Sequence, residues 1–118
     1  MIFIYYPKCS TCQKAKKWLE ENNIKFVERD IKTNNPNYNE IKAWYQASKL
    51  PLKKFFNTSG LLYKELNLKE NLKKMNIEEQ IKLLSTNGML LKRPLMIINN
   101  KILIGFKEKE YQEYLKNS

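Results

Sequence analysis

The sequence predicts an α/β fold: a mixed sheet whose βαβ half and ββα half are separated by a helical insertion. Three observations carry this. The first 31 residues read strand, helix, strand. The middle of the chain is helical in pattern and punctuated by Asn, Gly and Pro. Two short β-prone runs then flank Asn99-Asn100, ahead of a last helix. A parallel strand pair needs a crossover of the kind the first segment offers, and that crossover should be right-handed.

Met1 to Tyr6 is a continuous apolar run, as in a strand buried on both faces in the middle of a sheet. Pro7 ends it. Ser10 or Thr11 can cap the next helix, which runs through about Asn22 with Cys12, Ala15 and Leu19 on one face and Trp18 beside Leu19. Asn22-Asn23 breaks the helix, and Ile24 to Ile31 alternates loosely as a second strand. Thr33 to Asn37 is a loop. A helix from about Asn37 to Ser48 carries Ile41, Trp44 and Tyr45 on its apolar side, and Pro51 breaks the pattern. Short helices are expected at about 52–56, 61–66 and 68–74, with Asn57-Thr58-Ser59-Gly60 as a turn. Asn76 and Glu79 stand at capping-box spacing and open a helix through Ser85, and Asn87-Gly88 reads as a helix stop. Leu95 to Ile98 and Lys101 to Ile104 form a hairpin across Asn99-Asn100. Lys107 to Lys116 is a closing helix that packs through Tyr111, Tyr114 and Leu115. With 118 residues and no repeat or linker, the chain reads as one domain, 1–118, with the helical insertion at about 37–87.

Hydrophobic residues are 42% and aromatics 12%, which argues against disorder. No apolar stretch approaches the roughly 20 residues of a membrane helix, and the apolar start stops too early for a signal peptide. A cytoplasmic protein is expected, where two close cysteines serve catalysis or metal binding rather than a structural staple. The net charge is +10, yet every basic residue except Arg29 and Arg93 is Lys, scattered along the chain. Solvated helix faces account for that pattern, and an acidic protein surface is its second use; no direct nucleic-acid or membrane binding is expected.

Cys9-Ser10-Thr11-Cys12 holds the only two cysteines, and the chain has no histidine. A thiolate here must be made by a helix N-terminus, backbone N–H groups and nearby cations. Cys9 lies just before the helix, beside Lys8, where first-turn N–H groups of Ser10 and Thr11 carry about half a positive charge. It is the better nucleophile; Cys12, one turn inside, suits resolution of a mixed disulfide. A pair of small core residues and half of a zinc site are the competing readings, the second lacking two ligands. Cys-x-x-Cys near a βαβ pattern points to a thioredoxin-like site. Lys92-Arg93-Pro94 precedes a strand, and Arg93 is suited to holding an oxyanion or thiolate, or is a plain turn arginine. Tyr5, Tyr6, Phe55 and Phe56 read as core, and Gly105-Phe106-Lys107 as a strand-to-helix corner.

From Met1 to about Tyr114 the chain resembles the ArsC-like/Spx-like family of thioredoxin-fold proteins. The resemblance rests on YYPKCSTCQKAKKWL, KKFFNTSGLLYKEL, GMLLKRPLMI and IGFKEKEY, in that order. It implies a thioredoxin-like sheet with a helical insertion, and a cis-proline at Pro94 facing the active cysteine, so that Arg93 lies beside the thiols. Arsenate reductases of the family attack arsenate with the cysteine matched by Cys9, and glutathione and glutaredoxin complete the reduction. They surround the oxyanion with three arginines. Arg93 matches one; the positions near Asn57 and Phe106 hold no Arg here. Spx-type regulators use the pair matched by Cys9 and Cys12 as a disulfide switch, with Arg93 also matched, and bind the C-terminal domain of the RNA polymerase α subunit. The glycine they carry near Ser48 has no counterpart in Lys49-Leu50-Pro51-Leu52. The expectation is a thiol–disulfide oxidoreductase-like protein with Cys9, Cys12 and Arg93 catalytic and Lys8, Ser10, Thr11 and Pro94 in the binding site. No metal or bound cofactor is expected, and the reductant is an external thiol of the glutathione/glutaredoxin or thioredoxin type. A redox sensor partnered with the RNA polymerase α subunit is the alternative.

Overall fold

The computed structural model describes residues 1–116; Asn117 and Ser118, which the single-domain reading includes, lie outside the described residues. In chain order the elements are β1 (Ile2–Tyr5), α1 (Ser10–Glu21), β2 (Val27–Asp30), α2 (Tyr38–Ser48), α3 (Leu61–Glu65), α4 (Leu68–Asn71), α5 (Ile77–Leu84), β3 (Leu95–Ile98), β4 (Lys101–Ile104) and α6 (Glu108–Tyr111). Tight 3-10 turns cover Leu52–Phe55, Leu72–Lys74 and Gly88–Leu90, and a wider helical turn continues α6 over Gln112–Lys116. The chain divides into two units: Met1–Asp30 together with the segment from Arg93 onward, and Ile31–Lys92. The inserted unit is longer than the expected 37–87 because it includes the irregular segments flanking its helices.

The first unit is built on a four-stranded mixed sheet of order β2-β1-β3-β4. β1 runs parallel to β2 and antiparallel to β3, and β3 and β4 form an antiparallel hairpin. The apolar run of β1 therefore takes an inner position, with Phe3 and Ile4 buried on its opposite faces. At the hairpin turn Ile98 pairs with Lys101, and Asn99 adopts φ 51°, a left-handed conformation that Asn tolerates. Phe3, Ala15, Leu19, Met96, Leu103, Tyr111 and Leu115 form one buried cluster under α1 and α6. Removing Leu19 from water contributes about 2 kcal/mol. The Tyr111 ring meets Trp18 and Phe106 edge-on, at centroid distances of 5.7 and 4.8 Å.

The second strand is shorter than its sequence pattern. Asn23 adopts φ 55°, its N–H donates to the Glu20 carbonyl, and the Ile24 N–H donates to the Leu19 carbonyl. That is a Schellman stop with Asn in the left-handed position. Ile24 and Phe26 turn inward against the cluster, and only Val27–Asp30 pairs as β2. As an edge strand it leaves Val27 64% exposed.

In the second unit, α2 and α5 both start with a full capping box. The Asn37 side chain accepts from the Glu40 N–H at 2.9 Å while the Glu40 carboxylate accepts from the Asn37 N–H at 3.0 Å. Asn76 and Glu79 repeat the arrangement at 2.8 and 3.1 Å. Ile41, Leu52, Phe55, Phe56, Ile81, Leu84, Leu90 and Leu91 are buried. The Lys92 N–H donates to the Phe55 carbonyl and the Asn57 N–H to the Leu90 carbonyl, both at 2.8 Å. Asn87-Gly88 is not the helix stop that its composition predicts. α5 ends at Leu84 with Ser85 as its C-cap, and the Asn87 side chain instead accepts from the Met89 N–H to open the turn Gly88–Leu90. Glycine is required there by close approach: a Cβ on Gly88 would lie 1.8 Å from the Ile31 carbonyl oxygen.

Candidate active site

The thiols sit where β1 hands over to α1. After Tyr5 the chain turns back on itself, and the Cys9 N–H donates to the Tyr6 carbonyl at 3.0 Å. Gln13, in the first turns of α1, donates from Nε2 to the Pro7 carbonyl at 2.8 Å and ties this turn to the helix. Cys9 itself is the N-cap, with φ −88° and ψ 122°, and its carbonyl accepts from the Gln13 N–H at 3.0 Å. Neither Ser10 nor Thr11 caps α1 as expected from their chemistry. The turn brings the last extended residue one or two positions earlier, so Ser10 and Thr11 already lie in the helix and point to solvent.

Both cysteines are free thiols; Cys9 is half-buried and Cys12 is 0% exposed. Burial raises the Cys9 pKa, but the N–H and thiol of Cys12, the N–H of Thr11 and the Arg93 guanidinium together outweigh it, so the thiol is lowered from its ordinary value. The neutral sulfur makes no cap hydrogen bond. Ionisation gives those first-turn N–H groups the anion they favour. Cys12 moves the other way. Burial pushes it up to about 12, and the neighbouring Cys9 sulfur adds to that, against the opposing pull of the Tyr6 N–H and Arg93. The Tyr6 N–H donates to Cys12 Sγ at 3.5 Å. The pair therefore ionises at Cys9, with Cys12 serving it as a donor.

Arg93 and Pro94 arrive from the other half of the sheet, immediately before β3, and their peptide bond is cis. Pro94 is buried, and its carbonyl accepts from the Gly105 N–H at 2.8 Å, which fixes it to the end of β4. The half-buried Arg93 extends over the Tyr6 ring, with Cζ 5.4 Å from the centroid, and its charge acts on both sulfurs. Lys8 is exposed beside Cys9; the cation that acts on both sulfurs is Arg93, which helps lower Cys9 and opposes the rise of Cys12. Cys9, Cys12 and Arg93 thus come together in one unit of the chain, with Pro94 next to Arg93. Tyr6 is the residue that the sequence reading missed. It touches Cys9, Cys12 and Arg93, and its only signal was its place one residue beyond the strand, next to the turn that delivers Cys9.

A model of the ArsC family matches residues 4–114. The chain belongs to the ArsC family. A crystal structure of an ArsC family related protein from Bacteroides fragilis superposes with a TM-score of 0.91 and 56% identity, covering 95% of this chain and 94% of that one. YusI of Bacillus subtilis, an uncharacterized protein, is 52% identical over 113 residues, 96% of each chain. The global transcriptional regulator Spx 2 of Bacillus anthracis is 29% identical over 119 residues, which covers 100% of this chain and 89% of the regulator. Both branches of the resemblance, the reductase-named family and the regulators, are represented. No helix among the described residues of this ArsC-family protein is long and apolar enough to cross a membrane.

Proposed function

We propose that this protein is a thiol–disulfide oxidoreductase of the arsenate reductase family, with Cys9 as nucleophile and Cys12 as resolving thiol. The carrying observation is the placement of the two thiols: half-buried Cys9 is the N-cap of α1, where its pKa is lowered, and Cys12 is fully buried one turn inside, where its pKa is raised. Of the two sulfurs, Cys9 ionises first and is the one poised to attack. The Cys9 thiolate displaces a thiolate from an oxidised sulfur, or hydroxide (protonated to water) from a bound arsenate, and becomes covalently bound. Capping Cys9 removes the negative charge that adds to burial in keeping Cys12 protonated. Cys12 can then lose its proton and attack Cys9 Sγ. The Cys9–Cys12 disulfide forms and the product leaves with the electron pair. An external thiol of the glutathione/glutaredoxin or thioredoxin type returns two electrons to the ring. Arg93 and the N–H groups of Thr11 and Cys12 stabilise the anion at each stage. Free thiols of this kind suit a reducing cytoplasm.

A redox-sensing regulator that binds the RNA polymerase α subunit is the second reading. It is favoured by the likeness to Spx 2 over the whole of this chain and by the presence of only two arginines in the chain, against the three that the resemblance places around arsenate. One purified protein separates the two. Turnover of arsenate or a small disulfide with a thiol donor, lost in Cys9→Ser and halted at a Cys9 adduct in Cys12→Ser, supports the enzyme. Absence of turnover, together with capture of the α subunit that depends on the oxidation state of the pair, supports the regulator.

A further inference from the structure

We infer that Tyr6 is a positioning residue for the Cys9 site, its ring forming the platform that holds the Arg93 guanidinium within reach of the sulfurs. The proposal rests on the reading of Cys9 as the attacking thiolate. One residue addresses all three groups. Its carbonyl accepts the Cys9 N–H at 3.0 Å, its N–H donates to Cys12 Sγ at 3.5 Å, and its ring lies under Arg93 with Cζ 5.4 Å from the centroid. The first two contacts are backbone and survive any side-chain change. The ring contact is the part of the arrangement that depends on residue type. Arg93 is a long side chain with several soft torsions, and its effect on a sulfur depends on where its charge rests. A face-on aromatic ring offers that charge a favourable resting place. The Tyr6 ring is half-buried, so it is neither a core side chain nor free in solvent.

The test is the pH dependence of iodoacetamide alkylation at Cys9 in the reduced full chain, with the modified site assigned by mass spectrometry. Tyr6→Leu removes the ring and keeps the backbone. Its Cys9 should titrate at higher pH than in wild type, and its alkylation rate near pH 6.5 should fall about threefold, the scale of losing one partly screened cation. Tyr6→Phe keeps the ring and should restore the wild-type profile. Arg93→Met should reproduce the Tyr6→Leu profile, and Tyr6→Leu/Arg93→Met should shift no further, because the ring acts through the guanidinium. Cys12 reports on folding: it stays unreactive while the site is intact. If Tyr6→Leu exposes Cys12, Tyr6→Met replaces it as a ringless variant of similar bulk. A Tyr6→Leu or Tyr6→Met profile matching wild type overturns the proposal. So does an Arg93→Met profile matching wild type, or shifts that add in the double variant. A wild-type Cys9 that titrates at or above about pH 8.5 is a different failure, since it removes the thiolate on which the proposed function itself depends.

Discussion

Replacing Cys12 by Ala should abolish a loss of stability that the reduced protein undergoes in alkali. Cys12 is 0% exposed, and burial pushes its thiol up to about 12. In the unfolded chain the same thiol ionises near about 8.5. Above that pH the unfolded state releases a proton that the folded state keeps, and each such proton costs about 1.4 kcal/mol per pH unit. The folded pKa is the raised one, so the Cys12 contribution is complete below about pH 8.5 and is lost progressively as the pH climbs toward about 12. Between about pH 9 and about pH 10.5 the loss comes to about 2 kcal/mol. Cys9 is displaced downward, so its own linkage has the opposite sign and is already complete above about pH 8.5. Tyr111, whose pKa the Cys12 charge also raises, is held protonated by burial in both folded proteins, and the remaining alkaline groups are common to both. Urea unfolding with a phosphine reductant, at the two pH values, gives the stability gap between wild type and Cys12→Ala. That gap should shrink, or invert, by about 2 kcal/mol on going to the higher pH. A gap that is the same at both values within about 0.5 kcal/mol refutes the argument that Cys12 is held as a buried, protonated thiol.

Three further outcomes follow from the packing. Gly88→Ala should lower stability by at least about 2 kcal/mol in urea, because the atom 1.8 Å from the new Cβ is the Ile31 backbone oxygen and not a movable side-chain tip; an unchanged midpoint contradicts the close approach. Tyr111→Phe should raise stability by about 1 kcal/mol, since the Tyr111 hydroxyl is buried without a hydrogen-bond partner among the described residues; a loss of similar size shows instead that the hydroxyl is satisfied. Asn76→Ala should cost about 1 kcal/mol in thermal unfolding by opening the capping box of α5, and Asn76→Ser should recover most of it.

Much of this was legible in the residues. MIFIYY reads as an inner strand because it is apolar at every position, and Asn99-Asn100 reads as a hairpin turn because Asn accepts positive φ. Cys12, Ala15 and Leu19 are the buried face of α1, as their spacing predicts. The departures share one physical origin: they depend on atoms distant in sequence or on where a turn begins. Ser10 and Thr11 have the chemistry of caps, but the Tyr6–Cys9 hydrogen bond starts the helix earlier. Ile24 and Phe26 keep a strand's alternation, yet the Schellman stop at Asn23 commits them to the core before pairing begins. Gly88 looks like a helix terminator, and its real constraint is the backbone of Ile31. Tyr6 belongs by apolarity to the run before it, and only the turn at Pro7 reveals that its ring faces an arginine from the far end of the chain.

The two thiols are displaced in opposite directions, and carbon-13 NMR of cysteine-labelled reduced protein reads both at once. Across a pH titration the Cys9 β-carbon should shift below about pH 8.5, while the Cys12 β-carbon stays in its thiol position beyond about pH 10. Two superimposed transitions near about 8.5, or a Cys12 that ionises first, would contradict the account.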